Sequence, residues 1–182
     1  MPSKKLIISC GFSELLPVKN IAGVLNAVGD MGEVWVVGDG GERENLEKLA
    51  KSLKVKIKFW GRVDNKKARE IMRQSDVFVL NSFHEGMPHA LIEALAEGVP
   101  VVATKIPAVM EILKNNETGI LVEVGDEKDL IRGVREVREV RETLIKNGRR
   151  LFEEKFTWDA HVRELYNIFD EVTHSSFGRG SC

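Results

Sequence analysis

Short apolar runs alternate along the chain with longer stretches in which apolar positions recur every three or four residues. The runs at 6–10, 34–37, 55–60, 77–80, 99–103 and 119–122 predict strands. Helical spacing occupies 20–28, 42–53, 65–74, 88–97 and 108–114, then a long helical C-terminal third from Glu127 onward. Strands alternating with helices of this length predict βαβ units and a parallel sheet. The runs VFVL and VPVV are apolar at nearly every position, as strands covered on both faces are. Right-handed crossovers then give an α/β fold, a Rossmann-like doubly wound parallel sheet of about six strands flanked by helices. Ligands of such sheets bind outside the carboxyl ends of the strands, so the loops after each run are where chemistry is expected.

The C-terminal third is charged and amphipathic. Val-Arg-Glu occurs three times in 134–142, but Val134, Val137 and Val140 follow one helical face for two turns and then drift from it. That pattern predicts a surface helix rather than a coiled coil. FTWDAHVRELYNIFDEV (156–172) starts at a candidate N-cap, Thr157, and its aromatics at helical spacing are expected to be packing residues. Residues 174–182 lack periodicity and predict a disordered tail, leaving one domain over 1–173.

Composition narrows the class. A chain of 182 residues suits one domain and can bury about 70% of its unfolded surface without metal or disulfide staples. With 43% hydrophobic and 30% charged residues it is globular, and 27 basic against 28 acidic residues argue against nucleic acid as a partner. Cys10 and Cys182 stand at opposite ends and make neither a disulfide framework nor a zinc cluster, which suits a reducing compartment. The apolar run LIISC is too short for a signal peptide, and no stretch approaches the ~18 apolar residues of a membrane span. A cytoplasmic location is the expectation.

Candidate chemistry concentrates after VFVL, in Asn81-Ser82-Phe83-His84-Glu85-Gly86-Met87-Pro88-His89-Ala90-Leu91-Ile92-Glu93. Pro88 suits the first turn of a helix, which would leave the N–H groups of Ala90 and Leu91 free at the positive end of its dipole to receive a phosphate. Gly86 permits close approach of a ligand to the backbone. Glu85 and Glu93 bracket this anion site, and a carboxylate pair can accept hydrogen bonds from neighbouring sugar hydroxyls. The plain alternative is two first-turn charges favoured by the dipole. His84-Glu85 with His89 has the spacing HExxxH, one residue too long for two metal ligands on one helical face. GDGGER (38–43) has Arg43 where a dinucleotide fingerprint needs its third glycine, so plain turn chemistry is expected, with a phosphate-facing role open.

The same stretch resembles the E-x7-E signature of retaining glycosyltransferases of the GT-B fold, the glycogen synthase and α-mannosyltransferase-like family. EGMPHALIEALAEGVPVVAT (85–104), Glu111, ETGILVEVGD (117–126) and FTWD (156–159) follow that family's order. WVVGDGGERENLEKLA (35–50), IKFWGRV (57–63) and SDVFVLNS (75–82) match upstream. The likeness covers most of 5–172 and concerns only the C-terminal, donor-binding half of such enzymes. It implies that Glu85 and Lys19 are the catalytic residues, Glu85 meeting the donor sugar and Lys19 holding the diphosphate. It further implies that Gly86 and Met87 line the sugar pocket, that the helix start at Ala90 and Leu91 receives the diphosphate, and that Glu93 binds the ribose. The segment Arg62–Val63 would contact the base, and Gly11 opens the phosphate loop.

What the likeness implies functionally is transfer of a hexose from a UDP- or GDP-linked donor to an acceptor hydroxyl, without cofactor or metal. An N-terminal acceptor-binding domain would complete the enzyme, in cis or as a partner subunit, and any contact with the inner membrane face would run through those other parts. One departure stands out. Phe12 occupies the position where the family places a phosphate-binding arginine. A non-catalytic nucleotide-sugar-binding domain, or half of a nucleotide-sugar epimerase of the same fold, therefore remains a second implication.

Overall fold

The computed structural model describes residues 6–177. In chain order the elements are β1 (Leu6–Gly11), a 3₁₀ turn (Pro17–Lys19), α1 (Ile21–Val28), β2 (Gly32–Val37), α2 (Arg43–Leu53), β3 (Lys56–Gly61) and α3 (Asn65–Arg73). They continue with β4 (Val77–Leu80), α4 (His89–Glu97), β5 (Val101–Thr104), α5 (Pro107–Met110), β6 (Ile120–Val122), α6 (Glu127–Lys155) and α7 (Trp158–Phe177). All six strands run parallel in the order β3-β2-β1-β4-β5-β6, so the chain reverses its direction of travel across the sheet between β1 and β4.

Side-chain alternation explains why both faces are covered. In β4, Val77 and Val79 point to one face, where they join Val24 and Leu25 of α1, Leu46 of α2 and Val134 and Val137 of α6. Phe78 and Leu80 point to the other, against Met72 of α3 and Leu91, Ala94 and Leu95 of α4. Each such fully buried aliphatic contributes ~1.5–3 kcal/mol, which is why β4 carries no polar position. Cys10 takes part in the same packing, and burial pushes its thiol up to about 12. It stays protonated and behaves as a small apolar side chain.

The C-terminal third differs from expectation in two respects. α6 ends at Lys155 and Thr157 caps the next helix as predicted, its Oγ1 accepting from Ala160 N–H at 3.2 Å. Three aromatics of α7 do not pack inward, however: Trp158 is 81%, Tyr166 68% and Phe169 65% exposed, while Ala160 is buried. The helix also continues to Phe177, beyond the boundary expected at 173, because neither Gly nor Pro interrupts the chain before Gly178. Residues 178–182 of the expected tail lie outside the described residues. No helix among the described residues is long and apolar enough to cross a membrane.

Candidate active site at the strand reversal

The loops that follow β1 and β4 meet where the strand order reverses. After Gly11 the backbone turns through Phe12 in the left-handed region, at φ 60°. The Phe12 ring lies edge-on to Phe78 at 5.7 Å, so its side chain is committed to packing. The loop then runs to the 3₁₀ turn and to Asn20, whose side chain caps α1 by accepting from Gly23 N–H. Two bonds fasten this loop to the one after β4. Phe83 N–H donates to Val18 O at 2.9 Å, and Asn81 Nδ2 donates to Asn20 O at 3.1 Å.

Lys19 stands between those two anchors, and its position follows from them. Its Nζ donates to both oxygens of Glu85 at 2.9 Å, with 20% and 8% of the two side chains exposed. Glu85 Oε1 also accepts from Ser82 Oγ at 2.6 Å. The two residues assigned to sugar and diphosphate thus form one ion pair.

Arg62, Val63 and Glu93 come together on a cleft of about 380 Å³. Phe12, Ser13 and Glu14 after β1, Val37 at the end of β2 with Gly38 and Asp39 after it, and Asn65 and Ala68 of α3 complete its wall. Gly38 is required there: at φ +120° a Cβ would collide with the Ser13 carbonyl. Arg43 steadies the turn by pairing with Asp39 at 3.4 Å and Glu47 at 3.1 Å. The turn read from sequence as plain thus forms part of the cleft. Its signal was a glycine at the carboxyl end of a strand, where the fold places ligands.

Gly86 and Met87 line a second cleft of about 680 Å³ with Glu111, Ile112, Lys155 and His161. No atom would obstruct a Cβ at Gly86, so the space beside it is open. The start of α4 departs from expectation. Pro88 occupies the N-cap rather than the first helical position. Leu91 N–H donates to Pro88 O at 3.0 Å and His89 N–H to Met87 O at 2.9 Å, so the amide of Leu91 is not free and its side chain is buried. Of the two expected amides, Ala90 alone is uncommitted to a backbone carbonyl among the described residues. Gly11 lines neither cleft, and a Cβ there would lie 2.8 Å from Val37 O, so it serves the β1–β2 pairing.

The family described as Glycosyl transferases group 1 matches residues 2–151. The chain belongs to this family. Among glycosyl transferases, the lipopolysaccharide core biosynthesis glycosyltransferase LpsE of Rhizobium meliloti (strain 1021) is 32% identical over 132 residues, covering 70% of this chain and 38% of LpsE. The phosphatidyl-myo-inositol mannosyltransferase of Mycobacterium leprae (strain TN) is 30% identical over 169 residues, covering 91% of this chain and 44% of that enzyme. HepE of Anabaena, solved in complex with UDP, superimposes with a TM-score of 0.82 at 20% identity over 92% of this chain and 49% of HepE. The chain spans less than half the length of each of these proteins. Its fold is the Rossmann-like half of a GT-B glycosyl transferase.

Proposed function

We propose that this chain is the nucleotide-sugar-binding half of a retaining glycosyltransferase that moves a hexose from a nucleoside-diphosphate donor to an acceptor hydroxyl. The observation that carries the proposal is the placement of the E-x7-E carboxylates. Glu85 lies at the strand reversal paired to Lys19, and Glu93 lies on the wall of the β1–β3 cleft. HepE has been solved with UDP and, separately, with UDP-glucose, which supports this class of ligand for a chain of like fold.

In this scheme Glu93 accepts from the ribose diol, and the Arg62–Val63 segment borders the base. Glu85 accepts from sugar hydroxyls beside Gly86 and Met87. Lys19 and the amide end of α4 at Ala90 neutralise the leaving diphosphate, since donors aimed at developing charge lower the barrier most. Neither metal nor cofactor enters the scheme. An acceptor-binding domain, joined in cis or as a separate subunit, supplies the hydroxyl on the cytoplasmic side, and any membrane contact runs through that part.

Calorimetric titration with UDP- and GDP-sugars tests the donor site, and absence of binding at millimolar ligand refutes it. Glu93→Ala is expected to weaken nucleoside diphosphate and intact donor alike, each by about tenfold. Glu85→Ala is expected to weaken chiefly the sugar-bearing ligand. One observation favours a second reading, binding without turnover. Phe12 puts a packed ring, 5.7 Å from Phe78, where the resemblance places a phosphate cation. Sugar transfer after addition of an acceptor domain decides between the two.

A further inference from the structure

Ser82 has no part in the scheme above, yet both its hydroxyl and its carbonyl are engaged. It is 1% exposed, and its hydroxyl donates to Glu85 Oε1 at 2.6 Å. Its own carbonyl accepts from Thr104 Oγ1 at 2.6 Å, and Thr104 is fully buried at the end of β5. The main chain that bears the hydroxyl is therefore tied to the ends of two neighbouring strands, β4 and β5. Buried at 1% exposure on that anchored backbone, the side chain has little room to move with a ligand.

Lys19 has more. Its ammonium sits on a flexible four-carbon stem that is 20% exposed, and a diphosphate is a stronger anion than one carboxylate. Glu85 Oε1 receives Ser82 and Lys19 together, whereas among the described residues Oε2 receives Lys19 alone. When Lys19 turns to the diphosphate, Oε1 keeps its bond to Ser82 and Oε2 is released. We infer that Ser82 is a positioning residue, holding the Glu85 carboxylate so that Oε2 is presented to a donor sugar hydroxyl. The role rests on the donor-site proposal. Without the hydroxyl, Glu85 must be ordered at the moment of binding, and that entropic cost falls on the sugar-bearing ligand alone.

The test is calorimetry on the full chain, Ser82→Ala, Glu85→Ala and the double variant, each titrated with UDP-glucose and UDP, and with GDP-mannose and GDP. Ser82→Ala is expected to weaken the sugar nucleotide about tenfold and to leave the nucleoside diphosphate within about twofold. Retained diphosphate binding also reports an intact fold. In the Glu85→Ala background Ser82→Ala should cost nothing further, because its effect acts through that carboxylate. Equal losses for both ligands, an additive loss in the double variant, or sugar-nucleotide binding unchanged in Ser82→Ala overturns the role alone. Failure of the unmodified chain to bind either ligand pair overturns the donor site and this role with it.

Discussion

A carboxylate with 8% of its side chain exposed needs partners, and Glu85 draws two hydrogen bonds from Lys19 Nζ and one from Ser82 Oγ. Removing the cation leaves that charge enclosed with a single neutral donor. Lys19→Met is therefore expected to destabilise the chain by about 1–3 kcal/mol. In a domain of this size that lowers Tm by roughly 2–12 °C. Adding Glu85→Gln to Lys19→Met should recover much of the loss, since the unpaired charge is gone. Circular dichroism melts of the two variants check this, and a double variant no more stable than Lys19→Met refutes it. At this scale the sequence disclosed identities but not company. Glu85, Lys19 and Glu93 were legible as candidates, while the Ser82 bond depends on a loop geometry that no spacing reports. The lost amide at Leu91 has the same origin, because Pro88 shifts the helix start by one residue.

Secondary structure follows from periodicity wherever burial is two-sided, and all six strands were located from their apolar runs. Their ends were not, for polar residues also pair. β2 starts at Gly32, which pairs with Leu6 although Gly32 and Glu33 interrupt the apolar pattern. At the edge of the sheet, β3 alternates exposed Lys56 and Lys58 with Ile57 and Phe59, and lysines on an edge discourage further pairing. Helix α5 shrinks to one turn, 107–110, because the chain then closes a polar turn in which Lys114 N–H donates to Thr118 Oγ1. The start of α6 carries a pH dependence. Asp126 caps it, and Asp129 accepts from Arg132 and from Glu123 N–H, which hold its carboxyl below the usual carboxylate range. A carboxyl depressed in the folded state stabilises above its unfolded value near ~3.9 and loses that contribution as pH falls through the folded one. Asp129→Asn should accordingly melt below the parent at neutral pH, with the gap closing below about pH 4. Melting curves from pH 7 to 2.5 measure this, and a gap independent of pH refutes it.

The two clefts beside the candidate residues are open, and the chain spans 38–49% of the relatives described above. Transfer chemistry needs the reacting groups held together and water kept out, which an open face does not achieve. The chain alone is expected to bind a nucleotide sugar yet transfer its sugar slowly. A discontinuous assay with labelled donor checks this, and robust transfer to any acceptor by the unaccompanied chain contradicts it. Fold class was legible at this scale because strand–helix alternation and chirality leave few topologies. The clefts were not, being made by loops distant in sequence. The bonds from Phe83 N–H to Val18 O and from Asn81 Nδ2 to Asn20 O both end on main-chain oxygens of the β1 loop. On the β1-loop side the spacing is therefore set by main-chain acceptors, so exchanging the Val18 side chain removes neither bond, whereas Asn81 must keep its amide. Mutation can vary the side chains of the β1 loop while its main-chain tether to the β4 loop is inherited.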